Sequence, residues 1–288
     1  MPTFQHILFP VDFSEQNAGV APHVVCMARR YNARVTMLNV VELPTVADPV
    51  WPAYGTAVDI PAMVEHRRQR LEAFLKDEFQ EVPTMRIVLE GDPAWRIAEY
   101  AEQEKTELIM MPTHGYGPFR RFLLGSVTAK LLHDVKCPIW TSAHVAETAA
   151  PPAGYRNVLC ALDLGPGSLP LLRWASEFAR EQGAKLTLAH AIPAAKTPAV
   201  FDIEGERFRA FLFDQAGEQL ARLQQEAGTN VEVILKGGDV PEVVDGAAKE
   251  IHADLVLIGR GIMQHVLGSL RTHVYSIIRE APCPVISV

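Results

Sequence analysis

The sequence predicts an α/β protein of two repeated, doubly wound domains, each built on a five-stranded parallel sheet. Three observations carry this. Short apolar runs alternate along the chain with helical patterns. The runs are almost continuously apolar, as strands covered on both faces must be. The whole pattern then occurs a second time in the same order.

The repeat is read directly. "HILFPVDF" (6–13) aligns with "NVLCALDL" (157–164) at an offset of 151, which sets Asp12 opposite Asp163. "ARRYNARVTMLNVV" (28–41) aligns with "AREQGAKLTLAHAI" (179–192) at the same offset. The offset then becomes 147: "RIVLEGDP" (86–93) faces "VILKGGDV" (233–240), and "TELIMMP" (106–112) faces "ADLVLIG" (253–259). "CPIWTS" (137–142) faces "CPVISV" (283–288). One domain has been duplicated, with expected bounds 1–147 and 154–288. The proline-rich "TAAPPAG" (148–154) reads as the linker.

In the first half the expected strands are 6–11, 34–41, 85–89, 107–111 and 137–142. A helix over "NAGVAPHVVCMARRY" joins the first two, and one over "PAMVEHRRQRLEAFLKDEF" precedes the third. Asp92-Pro93 is a helix start, with Asp as N-cap and Pro at the first helical position. Asp239-x-x-Glu242 is a weaker relative of the capping box. In such sheets a ligand binds beyond the carboxyl ends of the strands. Asp12 ends the first strand and residues 112–128 follow the fourth, so both belong to that edge.

Composition narrows the partners. The 288 residues carry a formal charge of −7, with 48% hydrophobic and 21% charged residues. An acidic chain lacks the basic face that a nucleic acid requires. No apolar run approaches a membrane span, and the N-terminus, without a charged n-region or an apolar h-region, reads as no signal peptide. Cys26, Cys137, Cys160 and Cys283 make no C-x-x-C pair and no metal spacing, which points to reduced thiols and a cytoplasmic location.

The segment "PTHGYGPFRRFLLGSVTAK" (112–130) bears on function. Gly115 and Gly117 would let backbone amides approach an anion. Gly125-Ser126 opens a helix whose N-terminus suits a phosphate, with Ser126 and Thr128 adding hydroxyls. The structural alternative is a surface loop in which Ser126 and Asp12 serve only as helix caps. His114 could touch phosphate or face solvent, and Arg120 and Arg121 could be a solvated face or reach a γ-phosphate.

"ILFPVDFS", "GDP" before the third helix and "THG…LLGSVTAKLLHDVKCPI" together resemble the universal stress protein family in its tandem form, over nearly the whole chain. The resemblance implies an adenine nucleotide alpha hydrolase-like fold and a nucleotide loop G-x2-G-x9-G-[ST]. Here that loop reads Pro112-x2-Gly115-x9-Gly125-Ser126, followed by Val127 and Thr128. Pro112 departs from the pattern, and a proline there removes an N–H and fixes φ. The resemblance further implies ribose contact at Asp12, adenine held at the backbone of Val40, and Pro10, Val11 and Met111 lining the cleft. The implied cofactor is ATP, with or without Mg, and the implied role is sensing or regulation during stress, with at most slow hydrolysis. A member that binds no nucleotide and acts as an interaction or scaffold module is the alternative. Family members pair through their final strand, so "CPIWTSA" and "CPVISV" are expected to pair within one chain as a pseudo-dimer, leaving a further homodimer open.

In the second half the candidates are Asp163, Gly259, Gly261, Arg271 and Thr272. Ile262 falls where a glycine is expected. Gly268-Ser269 lies fifteen residues before Cys283, whereas Gly125 lies twelve before Cys137. Either the last helix has gained three residues, or Arg271 has replaced the glycine; the second is expected, which makes this half the poorer triphosphate site. Other chemistries fit less well. No P-loop and no G-x-S-x-G elbow occurs. "DLGPGSLP" (163–170) has proline where a dinucleotide fingerprint needs glycine, so it reads as a turn with Ser168 capping a helix. His23 and Cys26 share a helix face whose counterparts, Trp174 and Glu177, are not metal ligands.

Overall fold

A computed structural model of the chain describes residues 4–42, 59–115, 124–143, 154–193, 203–260 and 269–288. The linker, Gly117, Arg120, Arg121, Gly261, Ile262 and Gly268 lie outside them. Two compact units divide the chain, Thr3–Arg120 with Gly125–Cys137, and Pro138–Val288.

The first unit runs β1 (His6–Pro10), α1 (Glu15–Tyr31), β2 (Arg34–Val41), α2 (Ile60–Ala73), β3 (Thr84–Glu90), α3 (Pro93–Gln103), β4 (Leu108–Pro112) and α4 (Ser126–Asp134). Its strands are parallel in the order β3-β2-β1-β4. All residues of β1 and β4 are buried, which is why both read as unbroken apolar runs. Ser14 caps α1 by accepting from the Asn17 amide at 3.3 Å, so Asp12 is not the cap. Asn32, at φ 51°, ends that helix in the left-handed conformation. Asp92 caps α3 at 2.7 Å from the Trp95 amide, with Pro93 at its first position, as the sequence predicts. Helix α2 is shorter than its pattern. It stops at Phe74, whose backbone is extended, and Leu75 follows at φ 52°. The Arg86 guanidinium takes the terminal carbonyls of Leu71 and Phe74 at 3.0 and 3.4 Å.

The second unit runs β5 (Ile139–Ser142), β6 (Asn157–Ala161), α5 (Ser168–Gln182), β7 (Lys185–Ile192), α6 (Ile203–Ala227), β8 (Glu232–Gly237), α7 (Val240–Glu250), β9 (Leu255–Ile258), α8 (Ser269–Glu280) and β10 (Val285–Ser287). Its strand order is β5-β10-β9-β6-β7-β8. The final strand of the first repeat therefore belongs to the compact unit of the second. It pairs antiparallel with β10, Trp140 opposite Ile286. Ile139 and Thr141 face Ser287 and Val285, which are each other's repeat counterparts, so the ladder is self-complementary about Trp140. The pairing of the two final strands expected from sequence is present, and each hides an apolar edge with the other. Ser168 does not cap α5. Gly167 holds that position and Ser168 is the first helical residue.

Trp140 is fully buried, and its indole N–H donates to the Tyr155 hydroxyl at 2.8 Å. Trp140→Ala is expected to cost about 3–5 kcal/mol by denaturant titration; a loss below 1 kcal/mol would mean that this ladder contributes little. His23, in α1, is 6% exposed, and burial lowers its pKa from 6.5 to about 4. Between those values the unfolded chain binds a proton that the folded chain does not. Stability is therefore complete above pH 6.5 and falls as pH drops towards 4. The expected loss is on the order of 3 kcal/mol, and His23→Leu should flatten that part of the stability profile.

Candidate functional site

In the first unit β2 and β3 lie on one side of β1, and β4 lies on the other. The chain order reverses between β1 and β4, so the crossovers diverge and a crevice opens at the strands' carboxyl ends. A cavity of about 300 Å3 occupies it. All eleven first-half candidates line this cavity: Pro10, Val11, Asp12, Val40, Met111, His114, Gly115, Gly125, Ser126, Val127 and Thr128.

The local geometry follows from the turn after β1. Phe13 is left-handed at φ 65°, uncommon for a bulky residue. Its ring is held by Phe74, edge to face at 5.3 Å, and by the Arg70 guanidinium at 4.3 Å. Asp12 Oδ1 accepts from the Ser14 amide at 2.9 Å, and the Asp12 amide donates to Asn17 Oδ1 at 2.6 Å. Asn17 Nδ2 donates in turn to the Pro10 carbonyl at 3.0 Å. On the neighbouring strand Asn39 Nδ2 donates to the Val11 carbonyl at 2.7 Å, tying β2 to the end of β1.

The opposite wall comes from β4 and α4. Pro112 closes β4, and its carbonyl accepts from Thr128 Oγ1 at 3.4 Å. The proline thus sits at a strand end, a place that tolerates it. His114 is buried, not facing solvent, and its Nδ1 lies 3.0 Å from Thr113 Oγ1. The Gly125 amide donates to the Thr113 carbonyl at 2.8 Å, and a Cβ on Gly125 would come within 3.1 Å of that oxygen. Gly125 caps α4 without a side-chain bond, so no capping side chain takes the first-turn amides. Asn17, Leu38, Asn39, Pro93 and Ile97 also line the cavity and went unread in the sequence. Asn39 carried a signal, as a polar residue inside the apolar run of β2.

The second unit has a cavity of about 680 Å3 at the same edge, and Asp163 and Gly259 line it. Leu164, at φ 60°, repeats the left-handed turn of Phe13. His190 repeats the part of Asn39, its Nδ1 donating to the Leu162 carbonyl at 2.8 Å. The expectation for Arg271 is corrected. Helix α8 begins at Ser269 and α4 at Ser126, while both end three residues before their cysteines. Among the described residues α8 reaches at least three residues further towards its start than α4 does. Arg271 and Thr272 therefore lie inside it, and Arg271 does not replace the glycine that precedes the helix. The side chains of both lie outside the described ones.

Two copies of a doubly wound α/β domain, each with a cleft at its switch point, make up the chain. The model of the Universal stress protein family matches residues 3–142 and 154–288, and the chain belongs to that family. A universal stress protein of Methanocaldococcus jannaschii is 30% identical over 138 residues, 47% of this chain and 80% of the relative. Universal stress protein A of Yersinia pestis is 32% identical over 108 residues, 36% of this chain and 73% of the relative. The crystal structure of a universal stress protein from Archaeoglobus fulgidus superposes over 100% of this chain and 97% of its own, with a TM-score of 0.69 at 21% identity. No helix among the described residues is long and apolar enough to cross a membrane.

Gly115 is where the cradle is least forgiving, since a Cβ there would come 2.1 Å from Asp12 Oδ2. Gly115→Ala is expected to displace the Asp12 carboxylate and cost about 1–3 kcal/mol in denaturant titration. Gly167→Ala, where a Cβ meets nothing within 4 Å, is the control and should be near neutral.

Proposed function

We propose that the first repeat binds an adenine nucleotide, ATP with or without Mg, and that the protein acts as a nucleotide-dependent sensor or regulator whose hydrolysis is at most slow. One observation carries this reading: the eleven residues chosen from sequence converge on a single cavity at the switch point. At one side of it lies the Asp12 carboxylate, an acceptor for ribose hydroxyls. At the other lies the start of α4, whose uncapped first turn and Ser126 hydroxyl suit a phosphate. Val40, Met111 and Ile97 supply apolar surface for a base. Phosphates would run from the cavity past Gly115 towards Ser126. The self-complementary β5–β10 ladder supports an intrachain counterpart of the family's dimer contact.

The test is calorimetry with ATP on the full chain, together with assay of nucleotide released on denaturing protein purified without additions. One tight ATP per chain is expected. Asp12→Ala should weaken it by about 1–3 kcal/mol without unfolding the domain. Gly125→Val is a less clean probe, because its side chain would press on the Thr113 carbonyl. No bound or binding nucleotide would favour the scaffold reading, and two equal ATP sites would reject the asymmetry between the repeats.

A further inference from the structure

The two clefts occupy the same place in the fold, yet their walls differ in chemistry. The second is more than twice as large, at about 680 against about 300 Å3. Its walls are Leu162, Ile192, Val244, Ile258, Val274 and Ile277, with the indole of Trp174 closing one side. Trp174 is itself held flat against Phe178, ring centroids 5.2 Å apart and nearly parallel. Where the α4 and α8 helices are matched from their shared ends, Val274 stands in place of Thr128. A buried hydroxyl of the first cleft is thus an isopropyl group in the second. In the same comparison Val40 becomes Ala191 and Leu38 becomes Ala189, which widens the floor.

The polar side chains of the lining are few: Asp163, Ser168, His190 and, from α8, His273. Asp163 Oδ1 takes the Gly165 amide at 2.8 Å and the Ser168 hydroxyl at 2.9 Å, so that hydroxyl's proton is spent. His190 Nδ1 donates to the Leu162 carbonyl, so Nε2 is the ring nitrogen left for a ligand. The Asp163 carboxylate, like Asp12 in the first cleft, accepts from an O–H or N–H donor; what sets this cleft apart from a phosphate site is the aliphatic lining, with Val274 in place of the Thr128 hydroxyl. A cavity of this size falls within the range of small-molecule sites, which are mainly apolar with a few fixed polar groups.

We propose that the cleft of the second repeat is a binding site for an apolar small molecule, not a nucleotide, whose single polar group is a hydroxyl or amine donor directed to Asp163 and His190. The apolar body lies against Trp174 and the aliphatic wall. The two repeats then read two different ligand classes with one fold. The proposal is independent of whether the first repeat binds ATP.

N-phenyl-1-naphthylamine, a neutral apolar amine that emits on leaving water, is the probe, titrated into the full chain. Saturable one-to-one binding is expected, with energy transfer from Trp174. Trp174→Phe should keep the binding and lose most of that transfer. Ala191→Phe fills the floor, and Val240→Phe narrows the half-buried mouth. Each should weaken binding by about tenfold or more, with circular dichroism confirming the fold. A medium-chain alcohol should displace the probe, whereas ATP and adenosine should not. Absence of saturable binding, unchanged affinity in the folded filled variants, or displacement by ATP or adenosine would each overturn the proposal.

Discussion

A parallel sheet sends every strand's carboxyl end to one edge, and its crossovers must leave that edge on one face or the other. Where the strand order reverses, between β1 and β4 in the first unit and between β6 and β9 in the second, adjacent crossovers part and leave a crevice. Each site described above depends on this divergence. The crevice brings together residues from the ends of three strands and the start of a helix, groups far apart in sequence, without any loop having to carry the whole site. The left-handed residue after the first strand of each repeat is part of the same constraint. Phe13 and Leu164 turn the chain sharply enough for Asp12 and Asp163 to line the crevice.

The second recurrent device is a side chain bridging the two central strands beyond their ladder. Asn39 does this in the first repeat and His190 in the second, each donating to the carbonyl of the residue before the aspartate. Both are polar in otherwise apolar strands, where an unpaired donor would be costly. The bridge holds the aspartate's backbone in place and lets the two residues differ in what else they offer to the cleft. Duplication has thus kept the mechanics of the edge while the lining has changed. Hydroxyls and asparagines line the smaller cavity, whereas aliphatic groups and an indole line the larger.

Much of this was legible because period and spacing are local properties. Strand placement, the Asp92-Pro93 helix start and the duplication follow from apolar periodicity and cap chemistry, and the structure agrees closely with them. The first-half site was legible through its resemblance to a family with a defined loop spacing. The start of the final helix was not legible: the three extra residues between Gly268 and Cys283 could lie inside a longer helix or before one of unchanged length, and counting does not say which. The helix itself decides, since it already includes Ser269 and so places Arg271 at least two residues inside.

The sequence alone determined that the chain carries two α/β repeats of the universal stress protein family, with Asp12 and the Gly125-Ser126 step at the carboxyl edge of the first sheet. It could do so because apolar period, caps and motif spacing act over a few residues. The pairing of the two final strands was expected from the family resemblance, but tertiary structure decided its register, with Trp140 opposite Ile286, since register across an edge is set by long-range contact. It also decided that Asn17 and Asn39 complete the first cleft, and that the second cleft is larger and apolar. A cavity's volume and polarity are set by which side chains from distant elements meet, and no local pattern records that.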